Sequence, residues 1–204
     1  MIRKLIVFCI LLAPFIGAAQ DKILLMNGLE VDCKITADTG YVVAFDVTKR
    51  SGKVKHKVAN RGEIFSYTLE GENEVIVYEL DTIFGNNEYT ASQMRAYLAG
   101  EHDARVNFKA RHIMIIGFVT CGTIAYLGQD GYFTAVGPPV VYTLTQLIGK
   151  VKIRESTMSN VGYKYNDLYA DGYEPPARTK KIVRAFLSGF AGSALGVSLF
   201  FITK

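Results

Sequence analysis

Apolar residues follow two different patterns along this chain. In residues 21–82 they alternate with polar residues, whereas in residues 5–19, 112–149 and 182–202 they form long runs. Alternation with a period of two is typical of half-buried strands, and an apolar run of about 20 residues is long enough to cross a bilayer as a helix. The pattern predicts an α+β chain, with a small all-β domain followed by a hydrophobic helical half.

Residues 20–82 are predicted to form the β domain. Asn27-Gly28, between two β-prone runs, is the strongest short signal for a hairpin turn. After this turn, Val31, Cys33 and Ile35 alternate with charged residues, and four further β-prone runs follow before residue 82. These runs predict a meander of five or six strands, closed as a small barrel or an SH3-like sheet.

One strand of this domain has a distinctive composition. In residues 53–58 three lysines share one face, and Val54, His56 and Val58 share the other. Lysines on the outer face of an edge strand block aggregation between sheets. We therefore expect an edge strand with solvated lysines and with His56 on the apolar side.

A short amphipathic helix is expected within residues 83–110. Thr90 and Gln93 have the spacing of a capping box, which places the first helical residue at Ala91. Tyr97 and Leu98 belong to an apolar stripe along this helix. The helix should lead the chain into its hydrophobic half.

The hydrophobic half is expected to form a helical hairpin over 111–150 and one transmembrane helix over 182–204, joined by a loop over 151–181 that is rich in tyrosine and basic residues. Pro138-Pro139 should kink or break the second arm of the hairpin. In the last helix Gly189, Gly192 and Gly196 recur at spacings of three and four residues, and such faces let helix backbones approach closely in lipid. We expect these glycines to pack helices together, through self-association or with other envelope proteins.

Basic residues flank the apolar segments. They are Arg105, Lys109, Arg111, Lys150, Lys152, Arg154, Arg178, Lys180, Lys181 and Arg184. Residues 83–204 hold 13 Lys and Arg against 8 Asp and Glu, whereas residues 20–82 hold 8 against 11. Basic residues at the ends of apolar segments favour an anionic membrane surface over nucleic acid. Membrane lipid is the predicted partner, and no nucleic acid is expected.

Residues 1–19 are predicted to be a cleaved secretory signal. Arg3 and Lys4 precede an apolar stretch, and Gly17 and Ala19 are small residues where signal cleavage requires them. Export would place the β domain in the periplasm. The positive-inside rule predicts the opposite orientation, because three spans put every basic cluster on one side. We give the signal more weight, since the charge rule is a statistical bias.

Two stretches of the chain resemble each other. Tyr97, Gly100, Gly117 and Phe118 recur at one constant offset as Tyr169, Gly172, Gly189 and Phe190, and Ala104-Arg105 recurs as Ala177-Arg178 at an offset longer by one. The copies are interpreted as sharing a tyrosine, a glycine and an arginine, which suit a collar at a membrane interface. The predicted collar consists of Tyr97, Gly100, Arg105, Lys109, Arg111, Tyr169, Gly172, Arg178, Lys180 and Lys181.

Glu101, His102 and Asp103 form a cluster that could suggest acid–base catalysis. Consecutive residues on a helix point about 100° apart, so the three side chains do not easily converge on one atom. No nucleophile elbow, His-Glu-x-x-His motif, phosphate loop or dinucleotide fingerprint occurs in the sequence. We expect no catalytic residue, no cofactor and no metal. We interpret Cys33 and Cys121 as two separate buried thiols, with a disulfide between them, which export would permit, as the alternative.

The chain resembles small exported envelope proteins of Bacteroidota. The resemblance rests on "GAAQ" at the predicted processing site, "DKILLMNG" at the start of the mature chain, and "YLAGEHDAR" before a glycine-rich hydrophobic tail. It implies a signal peptide, a small β domain and a hydrophobic C-terminal half, and it implies no catalytic residues.

The function expected from the sequence is non-enzymatic. The chain should be an exported, membrane-associated protein that serves as a structural or assembly component of the cell envelope. One alternative is a small pore or an accessory subunit of a transporter, which the glycine faces and the proline-containing arm favour. The other is an enzyme that uses Glu101 or His102.

Overall fold

The computed structural model describes residues 20–49, 51–81, 88–128 and 132–203. The predicted signal peptide, the start of the linker before the first helix and the tip of the predicted helical hairpin around Asp130 lie outside these residues. The described chain is α+β, as predicted: a six-stranded antiparallel sheet is followed by four helices. It forms two compact units, a sheet unit that includes Glu30–Tyr78 and a helical unit that includes Met26–Leu29 and the chain from Glu79 onward.

The sheet unit contains six strands. They are β1 (Asp21–Leu25), β2 (Glu30–Asp38), β3 (Val42–Thr48), β4 (Val54–Asn60), β5 (Ile64–Thr68) and β6 (Val75–Ile76). Their order in the sheet is β4-β3-β2-β1-β5-β6. The first four strands form the predicted meander, but β5 then pairs with β1 instead of β4. The described pairings end at β4 and β6, so closure as an SH3-like barrel stays a prediction.

The hairpin between β1 and β2 forms at the predicted turn. Ile23 of β1 lies opposite Val31 of β2, and Gly28 in the turn has a φ of 71°. This left-handed conformation is strained for residues with a side chain and favours glycine. Ile23 and Cys33 are buried with Val43, Phe45 and Ile64 in the core of the unit, so the alternation in β2 does mark a half-buried strand.

Strand β4 is an edge strand, as its lysines predict, but its second face is not apolar core. Val54 and Val58 are exposed, and the side chain of His56 is 83% exposed, with Nδ1 only 2.5 Å from Oδ1 of Asp46. The prediction that these residues face the apolar side is wrong. An edge strand has a neighbour on one side only, and in β4 only Ala59 reaches the core.

Four helices form the second unit. They are α1 (Ala91–Val106), α2 (Arg111–Leu127), α3 (Tyr132–Ile148) and α4 (Asp167–Thr203). Helix α1 begins where the capping box predicts. The Thr90 hydroxyl accepts a hydrogen bond from the backbone N–H of Gln93, and the Gln93 side chain accepts one from the backbone N–H of Thr90.

Helix α4 begins at Asp167, well ahead of the predicted transmembrane segment, so much of the predicted loop over 151–181 is helical. Pro175-Pro176 lies inside α4, and Pro138-Pro139 lies inside α3 without ending it. Proline removes a hydrogen-bond donor, yet its ring fixes φ at a value that is compatible with a helix. Tyr169, Tyr173 and Ala177 recur every four residues and are buried, so their packing supports a helix where a loop was predicted.

The Cys33 thiol gives a test of the sheet core. Both Cys33 and Cys121 are buried free thiols. Burial, followed by the nearby Asp21 and Asp32, raises the pKa of Cys33 from 9.0 to about 11. Because the thiolate is the reactive form, alkylation of Cys33 near neutral pH should be about a hundredfold slower in the folded protein than in the denatured one.

The same pKa shift sets a pH dependence of stability. The unfolded thiol ionises near its ordinary pKa of 9.0, whereas the folded thiol stays neutral to about 11. The contribution to stability is therefore complete below pH 9.0 and is lost as the pH rises toward 11. Peptide mapping of alkylated cysteines measures the rates at Cys33 and Cys121 separately, and equal rates at Cys33 in folded and denatured protein would contradict the prediction.

Candidate functional site

The helical unit brings the two copies of the sequence repeat side by side. Helices α1 and α2 lie along α4. Residues that come later in α1 and α2 contact residues that come later in α4. Gly172 meets the backbone of Tyr97, and further along the chain Gly196 meets the backbone of Gly122. The α1–α2 pair and α4 therefore run parallel, with corresponding segments of the two copies in contact.

The Tyr-x-x-Gly motifs of the two copies pack on each other reciprocally. A Cβ atom on Gly100 would collide with the carbonyl oxygen of Tyr169, and a Cβ atom on Gly172 would collide with the carbonyl oxygen of Tyr97. Only glycine allows the two backbones to approach this closely. The repeated motif therefore marks a close approach of the α1 and α4 backbones.

Each copy also carries a glutamate four residues before its arginine. Oε1 of Glu101 accepts from Nη2 of Arg105 at 2.5 Å, and Glu174 accepts from Arg178 in the same way. Both arginine Nε groups are buried and have no acceptor within the described residues. The glutamate thus belongs to the repeat, which the sequence comparison missed. In the second copy one additional residue, Tyr173, lies between the glycine and the glutamate. The offset between the two copies is therefore longer by one at the glutamate and at the arginine.

In the apolar parts of α2 and α4, small residues face inward. A Cβ atom on Gly192 would collide with the carbonyl oxygen of Phe118, and one on Gly196 with that of Gly122. Gly189 instead faces α3, where an added Cβ would lie 3.3 Å from Pro139. The three glycines expected to pack helices therefore contact α2 and α3 of the same chain.

Large apolar side chains lie on the outside of the same helices. The exposed ones include Ile115, Val119 and Leu127 on α2, Val141, Leu144 and Ile148 on α3, and Leu187, Leu195 and Phe201 on α4. Soluble proteins normally bury such residues around a well-packed core. This part of the helical unit has the opposite arrangement, with glycine, alanine and serine inside.

Helix α4 is long and apolar enough to span a membrane. It is the one helix of the described chain that is long and apolar enough by itself. Helices α1 and α2 together are a second candidate if the 43° bend between them is a break within one span. At 17 residues each, α2 and α3 are short for independent spans.

The structure separates the predicted collar into two groups. Gly100, Gly172 and Tyr169 are buried between α1 and α4, and Tyr169 is only 1% exposed. The repeat places these three residues on the face that packs between helices, and their position at a membrane interface stays a prediction. Tyr97 is half-buried against Tyr89.

The charged collar residues remain near the surface or line a cavity. Arg105 and Arg178 are held in the ion pairs described above, and Lys180 donates to the carbonyl oxygen of Arg105. Burial, together with the charges of Arg184 and Arg105, lowers the pKa of Lys180. Lys109, Arg111 and Lys181 line the cavity described below.

Asp103 holds the connection between α3 and α4 against α1. This carboxylate is only 1% exposed and accepts the Tyr169 hydroxyl at 2.7 Å. It also accepts the Ser159 backbone N–H at 2.8 Å, the Ser159 hydroxyl, and the Asn107 side-chain amide at 3.1 Å. Burial, and then Asp103 itself, raise the pKa of the Tyr169 phenol. Several donors around one carboxylate make a rigid structural anchor.

The three residues considered for catalysis point to different partners. Glu101 pairs with Arg105, Nδ1 of His102 lies 3.0 Å from the carbonyl oxygen of Gly28, and Asp103 is enclosed in its own network. This divergence is expected for consecutive residues of a helix. In the part of the chain that the structure describes, no group of three or more His, Cys, Asp or Glu side chains could hold a metal ion.

A basic cavity of about 600 Å³ lies where α2 begins and α3 ends. Its basic lining consists of Lys109, Arg111, Lys150, Lys152, Arg154 and Lys181, with His112 beside them, and none of its lining residues is acidic. Each of these six cations is also outside ion-pair distance of every carboxylate in the described chain. The cavity therefore concentrates positive charge without internal compensation.

Lys181 lies among the buried residues that line this cavity. It is only 8% exposed, and its ammonium donates to the carbonyl oxygen of Gly149 at 3.0 Å. An ammonium group has three donors, so this carbonyl satisfies only one of them. The sequence predicted Lys109, Arg111 and Lys181 as members of one collar. Only the folded helical unit brings them together with Lys150, Lys152 and Arg154.

No known protein family, curated protein or solved structure matches this chain at a significant level. Function is therefore inferred from the geometry of the helical unit and from its charge distribution.

Proposed function

We propose that this protein is a non-enzymatic membrane protein of the cell envelope, with a structural or assembly role. In this proposal α2, α3 and the apolar part of α4 lie in the bilayer, and the sheet unit is presented in water on the periplasmic side. Residues 1–19 would serve as the export signal, and the small β domain would meet other envelope proteins. The observation that carries the proposal is the inverted packing of the helices, with small residues inside and large apolar residues outside.

The inverted packing follows from the solvent that these helices would face. In water, exposing many leucine, isoleucine and phenylalanine side chains costs free energy, because each buried one contributes about 1.5–3 kcal/mol. In lipid that cost is absent, and helices associate through close backbone contact at small residues instead. Gly192 and Gly196 supply such contacts, so the same arrangement that is unfavourable in water is favourable in a bilayer.

The pore alternative has less support than the structural role. Gly189, Gly192 and Gly196 bring α4 into backbone contact with α2 or α3, which fills the space that a conducting path would need. The enzyme alternative also has little support, because Glu101 and His102 are engaged with separate partners on one helix.

Alkaline carbonate extraction of membranes tests the embedding. We expect the full chain to stay in the membrane pellet. We also expect Leu195→Lys, on the outward face of α4, to weaken retention, since a lysine at the centre of a span costs about 2.5–3.5 kcal/mol on insertion scales. Val58→Lys makes the same chemical change at an exposed position of β4 and should have no effect. Release of the unmodified chain into the soluble fraction would contradict the proposal.

A further inference from the structure

We propose that the basic cavity binds the phosphate of an anionic phospholipid headgroup. This inference rests on the membrane embedding proposed above and names the lipid class and the site that would hold it. It is carried by the position of the cavity. Six cations that have no carboxylate partner in the described chain lie there beside the ends of two apolar helices.

The charge of the cavity lacks a counterpart within the described chain. Five of the six cations are exposed, but Lys181 is buried. Buried charges in proteins are normally paired, because transfer of an unpaired ion from water is costly. Lys181 is more than nine-tenths buried, and its one partner among the described residues is the neutral carbonyl of Gly149. A phosphate oxygen would supply both the missing charge and acceptors for the remaining N–H donors.

The first turn of α2 adds further donors to the same cavity. Its N-cap residue is Ala110, which has no side-chain oxygen to cap the helix. The backbone N–H groups of His112 and Ile113 find no acceptor within the described chain, and both residues line the cavity. Free N–H groups and the positive end of the helix dipole favour a phosphate at this position.

The position of the cavity favours a lipid over free phosphate. Ile113 at the start of α2 and Gln146 near the end of α3 belong to its lining. The outward faces of these helices carry exposed apolar residues such as Ile116 and Leu147. A headgroup held in the cavity would therefore leave its acyl chains beside apolar helix surfaces, whereas inorganic phosphate would gain nothing from them.

Native mass spectrometry of the full chain in detergent can measure the binding. The protein is titrated separately with phosphatidylglycerol and with phosphatidylcholine of the same acyl chains, and the phosphatidylglycerol titration is repeated in the presence of inorganic phosphate. We expect phosphatidylglycerol to bind about tenfold more tightly than phosphatidylcholine, with little competition from phosphate. Interactions between basic residues and anionic lipid contribute about 1 kcal/mol per residue, so Lys181→Gln should weaken phosphatidylglycerol binding about fivefold or more.

Two further variants distinguish lipid binding in the cavity from attraction by general surface charge. Lys164→Gln removes one positive charge from a lysine that pairs with Glu155 outside the cavity, and should leave the lipid preference unchanged. Gly149→Ala keeps every charge, but its added Cβ would lie 2.7 Å from the Lys181 ammonium and should displace it. We expect Gly149→Ala to weaken phosphatidylglycerol binding, which keeps the test valid if Lys181→Gln does not fold.

Three results would overturn the inference. Equal binding of the two lipids by the unmodified chain would exclude an anionic headgroup site. An equal effect of Lys164→Gln and Lys181→Gln would show general surface attraction, and strong competition by inorganic phosphate would show a free-phosphate site. Carbonate extraction shows which of the two proposals fails. A chain that stays in the membrane pellet but binds the two lipids equally contradicts only the lipid site.

Discussion

Replacing Gly192 and Gly196 together by leucine should separate α4 from α2 and cause the largest loss of stability in the helical unit. An added Cβ at either position would collide with a backbone carbonyl oxygen of α2, and a backbone cannot move aside as a flexible side chain can. Overpacking of this kind costs up to about 3 kcal/mol per site. Because the two glycines lie one turn apart, their effects should not be simply additive.

The free energy of unfolding in detergent, followed by far-UV circular dichroism, measures this effect. The matched control replaces Ala191 and Ala194 by leucine on the exposed face of the same helix, with similar hydrophobic gain and without a buried helix contact. An equal loss of stability in the two double variants would contradict the proposed helix contact.

Asp103→Ala should be the most destabilising single substitution outside the apolar segments. It removes the acceptor of the buried Tyr169 hydroxyl and of the Ser159 backbone N–H, both within 2.8 Å of the carboxylate. A buried donor left without its acceptor typically costs about 1–3 kcal/mol, and several donors lose their acceptor here. The connection between α3 and α4 should then detach from α1.

A double-mutant cycle with Tyr169→Phe isolates the contact itself. If Asp103 and Tyr169 act as a pair, the double variant should lose less stability than the two single variants together. Asp171→Ala removes an exposed aspartate of α4 and should have little effect. Strict additivity of Asp103→Ala and Tyr169→Phe would show that the hydrogen bond does not contribute to stability.

Short-range features were the most predictable from the sequence. The Asn27-Gly28 turn and the Thr90–Gln93 capping box depend on residues at most a few positions apart, so local chemistry is sufficient to place them. The alternation around Cys33 likewise located the buried face of β2. The choice of β1 as partner for β5 could not be predicted, because strand pairing at that distance depends on the whole sheet.

The repeat shows how far a sequence pattern reaches. Equal spacing between Tyr97 and Tyr169 and between Gly100 and Gly172 correctly marked related positions. It could not distinguish a surface collar from a helix-packing motif, since a buried glycine and an interfacial one have the same spacing. Only the parallel arrangement of α1 and α4 shows that each glycine meets the backbone of the other copy's tyrosine.

Composition and periodicity were enough to determine the α+β order, the strand and helix types, the long apolar helix and the basic residues around the apolar segments. Tertiary packing decided which of those basic residues share a cavity, which tyrosine is buried on Asp103, and that the large apolar residues of α2, α3 and α4 point outward. The physical reason is that periodicity identifies two different faces on an element. Which face is buried depends on the shape of its neighbours and on the surrounding solvent.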